Sequence, residues 1–518
     1  TTYPLPADAE NRFNYFGGGS WESTRNLRLS VRDGFAPWVI VAAAAPRRLI
    51  YAHEFAWDRE HDPVWRRLET IFRLYGEPGH LAATHGAGSV RGTGAGNTHC
   101  NNIGPEHLVA IHTAFERWFQ VPVPNREGPP RHTAEELTCL TPAASNDRPL
   151  RPLHQIAGEI AAGRTAVARE RLAKMTPTER RQDLRRNWAA LLGAVEPKLS
   201  PTVVTSIPRD IRELTLPGRQ SPRLDVPAPK RTAVEVSFER LGLEVEPGIV
   251  IPLVLLTPNR ETMRPVVIAV SQAGKQAFLD DRLEPIVELL AAGIAVCLPD
   301  VRGTGESKPD DGRGRGSSAT SLSSAELMLG QTAVGARVRD LRSVVRYLRA
   351  RADLEPRGVA LWGGSFATTN PHDKNLAAPL DAGNAPLLSE PLGELLVLLT
   401  ALFEDDIRAV SASGGLIAFQ SLLESPFVYA PHDCIIPGVL TAGDLCDVAA
   451  ALAPVPLQLT AFVDGQNRPV KADAVAAALA PIRTAYGAVA TDRLSLPGSE
   501  AVSVSKWFQW ALRDVLMP

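Results

Sequence analysis

The chain has 518 residues, with 55 lysines and arginines against 57 aspartates and glutamates, and a formal net charge of −2. This length allows roughly two to four domains of about 100–200 residues each. The balanced charge argues against a general nucleic-acid binder and against a polybasic membrane-surface protein. No apolar run reaches the ~18 residues of a spanning helix. The five cysteines form neither a disulfide framework nor a zinc spacing.

The chain starts at Thr1 and not at a methionine, and no basic-then-apolar export signal follows. We therefore expect that the sequence was processed or is a piece of a longer one. The compartment is not readable from this end.

The first feature in chain order is a pattern that occurs twice. The first copy has alanines at 42–45, Pro46, an apolar segment at 49–52, and the acids Glu54 and Asp58. It predicts a short helix, a buried strand, an acid just after the strand, and a final amphipathic helix over Pro105–Phe119.

The second copy has Ala-Ala-Leu-Ala-Pro at 450–454, an apolar segment at 455–459, Asp464, and Lys-Trp-Phe at 506–508. The order and the matching ends favour a duplication over a coincidence between two Ala-Pro turns.

The region between the copies starts with a Pro-rich linker at about 121–150 and continues with two predicted helices at about 151–196. The second helix begins with a capping box, in which Thr176 is the N-cap and Glu179 follows three residues later. The arginines that follow are interpreted as a solvated helix face.

Residues 233–364 alternate strands and helices. We predict a leading hairpin (234–238 and 249–256), apolar strands (266–270, 294–298 and 358–362) and helices (283–292 and 333–349). Apolar strands separated by helices indicate an α/β fold, in which a parallel sheet is covered on both faces.

The sharpest motif is Gly-Gly-Ser-Phe-Ala at 363–367, directly after the last of these strands. A strand, a turn of the G-x-S-x-small type and a helix form a nucleophile elbow, which exposes the Oγ of Ser365. The N–H of Phe366 would be one oxyanion donor, and Ala273 and Gly274 in the loop after strand 266–270 would supply the second. The alternative is a turn without catalytic duty.

A second motif, Asp-Val-Arg-Gly-Thr-Gly-Glu-Ser, occupies residues 300–307 after strand 294–298. Its spacing fits neither a P-loop nor a dinucleotide fingerprint. We interpret it as a structural loop whose Asp and Arg form ion pairs.

On these motifs, residues 233–518 resemble an α/β-hydrolase. Residues 10–120 resemble the C-terminal half of another, through Asn-Arg-Phe-Asn-Tyr at 11–15 and Ala-Pro-Arg-Arg-Leu at 45–49, and are similar to acetyl xylan esterases and glucuronoyl esterases. The resemblance implies a mostly parallel sheet with helices on both faces, in a partial N-terminal copy and a fuller C-terminal copy. The implied domains are 1–125, a linker and helical segment at 126–230, and 231–518.

The resemblance also implies the hydrolysis of carboxylic esters by a serine, a histidine and an acid. It implies plant-polysaccharide esters as the substrate and a secreted or periplasmic location.

The triad of the second copy is incomplete in the sequence. The family's chain order is serine, acid, histidine, and Asp464 follows Ser365, but the last histidine of the chain is His432. His432 or His372 could fold toward Ser365, although we expect each to be a loop histidine paired with the adjacent aspartate. A third possibility is that His99 reaches Ser365 from the first copy.

The first copy has the opposite defect. His99 lies just before the final helix and is the best candidate base, with His85 and His107 as rivals and with Glu54 or Asp58 as the acid. The nucleophile of this copy is expected upstream of residue 1.

The sequence therefore predicts a serine carboxylic-ester hydrolase that performs acyl transfer without metal or cofactor, with the active module at the N-terminus. The expected partner is an ester substrate, with neither nucleic acid nor a membrane span, and the oligomeric state is open. The alternative is that the second module is inactive and serves as a binding or scaffolding domain. A third reading is a peptidase of the same fold.

Overall fold

The structure is a computed structural model. The residues that it describes are 28–35, 37–89, 96–99, 102–125, 132–141, 144, 146, 150–215, 233–259, 263–309, 312, 317–377 and 386–516. The motif at 11–15 and part of the predicted Pro-rich linker lie outside these residues. The chain forms two compact units, one made of residues 1–150 with 327–330 and the other of residues 151–326 with 331–518.

The first unit contains a small parallel sheet with helices beside it. Its elements are α1 (Pro37–Ala42), β1 (Leu49–His53), α2 (Pro63–Leu74), β2 (Leu81–His85) and α3 (Pro105–Phe119). Ala42, Val64 and Leu68 form its buried apolar cluster. Strand β1, expected to be buried, is only half-buried, because β2 is its one sheet neighbour in the described part of this unit.

The second unit is built on a mixed sheet. Its strands are β3 (Thr202–Thr215), β4 (Ala233–Glu246), β5 (Ile249–Pro258), β6 (Arg264–Ser271), β7 (Ala295–Pro299), β8 (Leu354–Gly364), β9 (Val410–Ser413), β10 (Leu457–Thr460) and β11 (Leu494–Ser495). Their order across the sheet is β3-β4-β5-β7-β6-β8-β9-β10-β11. From β7 to β11 in this order, each strand is parallel to the next one. Strand β5 is antiparallel to both β4 and β7.

The helices after residue 150 are α4 (Leu153–Ala173), α5 (Pro177–Leu192), α6 (Lys275–Asp281), α7 (Leu283–Ala291), α8 (Ser318–Met328), α9 (Ala333–Arg349), α10 (Leu392–Phe403), α11 (Leu445–Ala450), α12 (Ala472–Ala478), α13 (Ala480–Tyr486), α14 (Ala490–Arg493), α15 (Val504–Ala511) and α16 (Arg513–Leu516). Thr176 and Glu179 form the predicted capping box of α5, in which Thr176 Oγ1 accepts from Glu179 N and a Glu179 carboxylate oxygen accepts from Thr176 N. Strand β3 was not predicted. It pairs along β4 and extends the predicted hairpin by one strand.

Strand β6 shows why the sheet is covered on both faces. Val266, Ile268 and Val270 lie in the core with α9 and α10, whereas Val267 and Ala269 lie in a second core with α7 and α15. Successive side chains of a strand point to opposite faces, so a strand that is apolar throughout needs helices on both sides. The predicted α/β class is confirmed, and the mixed sheet with its helices fits an α/β-hydrolase-like fold.

The chain order of the strands locates the edge where chemistry is expected. From β6 the chain passes to β7 on one side, and from β7 it passes to β8 on the other side of β6. In open α/β sheets, ligands bind outside the carboxyl ends of the strands at such a reversal. Ser271 ends β6, and Ser365 directly follows β8.

Within the described residues, no single helix is both long and apolar enough to cross a membrane. One bent pair, Ala472–Ala478 with Ala480–Arg493, meets the criteria of length and composition when its two helices are taken together.

Candidate functional site

Ser365 lies where the elbow motif predicts, at the carboxyl end of central strand β8. The predicted helix does not follow it directly. Residues 365–377 have no regular structure, and the next helix in the described part of the chain, α10, begins at Leu392. The expectation of a strand, turn and helix in immediate succession is therefore wrong, because a segment of irregular chain separates Ser365 from the helix.

The glycines of the motif nevertheless serve close backbone packing. A Cβ at Gly363 would lie 2.5 Å from the carbonyl oxygen of Gly393, and a Cβ at Gly393 would lie 2.4 Å from the carbonyl oxygen of Gly364. The first turn of α10 therefore contacts the end of β8 through bare backbone. The elbow keeps its strand–helix contact although the two elements are distant in sequence.

Gly414, just after β9, lies against Ser365. It has φ +78°, and a Cβ there would be 2.5 Å from the Cβ of Ser365 and 3.1 Å from its Oγ. Ser365 is half-buried. Its Oγ accepts a long hydrogen bond (3.4 Å) from the N–H of Ala367, the one partner that this hydroxyl has among the described residues.

The predicted oxyanion donors are largely engaged in other hydrogen bonds. The N–H of Phe366 donates to a carboxylate oxygen of Glu390 at 3.0 Å. The N–H of Gly274 donates to Ser271 Oγ at 3.1 Å. Ala273 is half-buried in the same turn. The Glu390 carboxylate therefore occupies the position in which an oxyanion would accept from the Phe366 N–H. Its negative charge would also repel an oxyanion there, because like charges repel strongly when they are partly buried.

Asp300 connects the loops that follow β6 and β7. Its buried carboxylate accepts from Lys275 N (2.7 Å), Lys275 Nζ (2.6 Å) and Glu306 N (2.9 Å). Gly305 is required here, since a Cβ on it would lie 2.1 Å from the Asp300 carboxylate. The same motif supplies Arg302, whose guanidinium contacts the buried Asp340 at 2.5 Å. Residues 300–307 thus form the structural loop that was predicted.

Asp464 follows β10 at the expected edge of the sheet. Its Oδ1 accepts hydrogen bonds from Gln466 N (2.8 Å) and Arg468 N (2.9 Å), so the carboxylate stabilises the turn formed by residues 464–468. Another acid, Glu424, lies near it, and burial together with the negative charge of Asp464 raises the pKa of Glu424. Asp464 therefore faces a like charge and has no imidazole partner in the described part of the chain.

Two buried asparagines join the Ser365 segment to the Asp464 turn. Asn467 Nδ2 donates to Thr368 O at 3.0 Å, and Asn370 N donates to Asn467 O at 2.7 Å. Asn370 also contacts Leu387 through both side-chain atoms, each at 2.9 Å. The serine segment, residues 387–390 and the acid turn consequently form one hydrogen-bonded assembly.

Neither candidate replacement base is hydrogen-bonded to Ser365 within the described residues. His372 is exposed. His432 Nδ1 is 3.2 Å from Ser323 Oγ, and burial lowers the pKa of His432. Its neighbour Asp433 does not pair with it, because that carboxylate accepts from the buried Arg337 guanidinium at 2.6 Å. The connection from β11 to α15 holds residues 496–503, which include no histidine.

In the first unit, two contacts connect the chain segment of His99 with that of Glu54. Thr98 is fully buried, and its hydroxyl donates to the backbone oxygen of Glu54. The rings of Phe55 and His99 have centroids 5.9 Å apart. Asp58 is engaged by His61 at 2.6 Å, and this hydrogen bond lowers the pKa of Asp58.

The two rival histidines of the first unit have structural contacts. His107 is buried in the first turn of α3, where its Nδ1 accepts from Gly104 N and its Nε2 lies 2.7 Å from His53 O. His85 ends β2 with an exposed side chain, and its Nδ1 lies 3.0 Å from Gly86 O.

The sequence interpretation missed a buried acid at the start of α10, whose backbone packs against the end of β8. Glu394, in the first turn of α10, is 3% exposed, and its Oε2 has no hydrogen-bond partner among the described residues. A Cβ on Gly415 would lie 1.8 Å from that oxygen. Burial raises the pKa of Glu394 to about 8. The N–H of Leu416 donates a hydrogen bond to the carboxyl and lowers this pKa, but its effect is smaller than that of burial.

Glu390, Asn370 and Asn467 were also missed. Their roles come from contacts across long sequence separations, and no local motif marks them. The one usable signal was the lack of an amphipathic helical pattern directly after Ser365.

Comparisons with known proteins find similarity in solved structures alone, since neither a known family nor a curated protein matches the sequence. A Bacteroides fragilis protein provisionally assigned as an acetyl xylan esterase is 15% identical, with a TM-score of 0.42 over 62% of this chain and 76% of that one. A glucuronoyl esterase from Solibacter usitatus is 15% identical, with a TM-score of 0.34 over 59% and 80%. Acetyl Xylan Esterase 1 from Thermoanaerobacterium sp. is 14% identical, with a TM-score of 0.30 over 60% and 99%.

Proposed function

We propose that the protein is a serine carboxylic-ester hydrolase of the acetyl xylan esterase type, in which the first unit holds the catalytic base and acid and the second unit is not catalytic. The observation that carries the proposal is the placement of His99 and Glu54. The two residues follow neighbouring parallel strands, β2 and β1, and Thr98 joins their loops. Parallel strands bring their carboxyl ends to one edge, which is where an acid and a base can meet.

In this proposal, the nucleophile is the serine that the sequence analysis expects upstream of residue 1. His99 takes the proton of that hydroxyl and returns it to the leaving alcohol, while Glu54 orients the imidazole. Glu54 is favoured over Asp58 because His61 already engages the Asp58 carboxylate. The ring nitrogens of His99 have no hydrogen-bond partner among the described residues. In this proposal one nitrogen receives the serine hydroxyl, and the Glu54 carboxylate moves onto the other when the substrate binds.

The arrangement of the two units supports a duplication. The first unit has the order helix, strand, helix, strand, helix from α1 to α3. From α11 to α15 the second unit has a helix, a strand, three short helices, a strand and a helix, and in each unit the two strands are parallel. The loop that carries His99 spans residues 86–104, whereas its counterpart spans 496–503. The histidine-bearing loop is therefore shortened in the second unit.

Two observations at Ser365 favour a binding or scaffolding role for the second unit. Glu390 holds the Phe366 amide at 3.0 Å, and Ser365 Oγ has no histidine beside it in the described part of the chain. Loss of the base of a serine triad costs about 10⁶ in turnover, so Ser365 is not expected to work as an efficient nucleophile.

The experiment compares variants of the protein produced from its complete gene, so that the expected nucleophile is included, in the hydrolysis of p-nitrophenyl acetate and of acetylated xylan. His99→Ala should lower kcat by about 10³-fold or more, and Glu54→Gln should lower it as well. His61→Ala, a matched histidine on the same edge, and Ser365→Ala should each leave kcat within about twofold, since neither residue takes part in the proposed step.

Three outcomes contradict the proposal. If Ser365→Ala abolishes hydrolysis while His99→Ala does not, the second unit is the catalyst. If the protein hydrolyses neither ester, or if His99→Ala changes nothing, the first unit does not act as an esterase.

A further inference from the structure

The second unit contains an apolar pocket that the proposed reaction does not use. It has a volume of about 580 Å³ and lies between α4 and the chain at 419–440. Ala157 and Ala161 line it from the helix, and Phe419, Leu422 and Ile435 line it from the opposite side. A pocket of this size is within the range of small-molecule sites, which is about 300–1,000 Å³.

The walls of this pocket are held in place without a ligand. The buried Asp444 carboxylate accepts from Phe419 N at 2.8 Å and from Gln420 N at 3.2 Å. On the helix side, a Cβ at Gly158 would lie 3.4 Å from the backbone oxygen of Leu423. The pocket is therefore preformed, which reduces the entropy that a ligand must lose on binding.

The lining combines exposed apolar side chains with a single charge. Ile160 is 52% exposed and Val428 is 41% exposed, although solvent contact is unfavourable for such side chains. Arg164 is the one charged residue in the lining. The residues three and four positions away on the helix (Ile160, Ala161, Val167, Ala168) include no acid.

Arg164 differs from the other arginines of α4. Arg169 lies 3.7 Å from the Asp447 carboxylate, and Arg171 lies 3.2 Å from the Asp183 carboxylate. Arg164 has no ion pair or hydrogen bond in the described part of the chain. A free guanidinium presents paired donors that match a carboxylate.

We propose that this pocket binds a medium-chain carboxylate, with the alkyl chain between α4 and residues 419–440 and with the carboxylate on Arg164. The proposal goes beyond the ester hydrolase function and does not depend on it. The pocket also adjoins the turn of Asp464, since a Cβ at Gly465 would lie 2.8 Å from the Cα of Leu422.

The test is calorimetric titration of the purified protein with decanoate, at concentrations below those that form micelles. Decyltrimethylammonium, which has the same chain with the opposite charge, and acetate, which has the charge without the chain, should both bind at least tenfold more weakly. Arg164→Ala should weaken decanoate binding by about tenfold or more, which is the value of a hydrogen bond to a charged group. Arg73→Ala, at an exposed arginine of α2, is the matched control and should change nothing.

A second variant tests the pocket by volume. Ala157→Leu places a larger side chain in the cavity and should weaken decanoate binding by at least tenfold, whereas Ala162→Leu, at an exposed position of the same helix, should not. Thermal unfolding of each variant checks that it is folded. The proposal is overturned if decanoate does not bind, if decyltrimethylammonium or acetate binds equally well, or if either Arg164→Ala or Ala157→Leu leaves the affinity unchanged.

Discussion

Replacing Glu394 by glutamine should leave the stability of the protein unchanged near pH 4.5 and increase it progressively as the pH rises to about 8. The carboxyl is almost completely buried beneath Gly415, and Leu416 N–H is its hydrogen-bond donor. Glutamine keeps the shape of the side chain and an acceptor for that N–H, but it cannot ionise. The substitution therefore isolates the cost of the buried charge.

The magnitude follows from the difference between the folded and the ordinary pKa. Burial, with a smaller contribution from the charge of Asp444, raises the pKa of Glu394 from 4.5 to about 8. Between these values the unfolded chain is ionised while the folded protein keeps the proton. Stability is therefore lost as pH rises through this window, by about 1.4 kcal/mol per pH unit and by about 5 kcal/mol in all.

The assay is urea unfolding of the wild type and of Glu394→Gln at pH 4.5, 6 and 8. The two proteins should be equally stable at the lowest pH, and the advantage of the variant should grow with each step. Glu284→Gln, at an exposed acid in the first turn of α7, is the control and should show no such trend. A constant difference between wild type and variant across the range would refute the reasoning, because it would mean that the Glu394 carboxyl has the same pKa in the folded and the unfolded protein.

Two further substitutions test the contacts around Ser365 by urea unfolding. Gly414→Ala should cost about 2 kcal/mol or more, since its φ is +78° and the new Cβ would contact Ser365. Gly248→Ala, at φ +77° in open space in the turn between β4 and β5, should cost about 1 kcal/mol, and an equal loss at both glycines would mean that the contact with Ser365 adds nothing. Asn370→Ala should cost about 3 kcal/mol, because it leaves buried backbone groups without their hydrogen bonds. Asn375→Ala, at an exposed asparagine, should cost less than about 1 kcal/mol, and a similar loss at both positions would contradict the buried network.

The sequence by itself determined the α/β architecture of the second unit. The apolar strands near 266–270 and 294–298, and the helix Ala333–Arg349, appear where their patterns predicted them. These features are local, because strand and helix periodicities and capping residues act within a few positions of the chain. For the same reason, the position of Ser365 at the end of β8 could be predicted from its neighbours.

The tertiary structure alone decided the surroundings of that serine. Glu390 reaches the Phe366 amide across 24 residues, and Asn467 reaches Thr368 across 99 residues. Neither contact has a sequence period or motif, since each depends on how loops from different strands meet at one edge of the sheet. The burial that raises the pKa of Glu394 has the same origin, because the sequence of an otherwise apolar helix does not show whether its single acid will face water or the core.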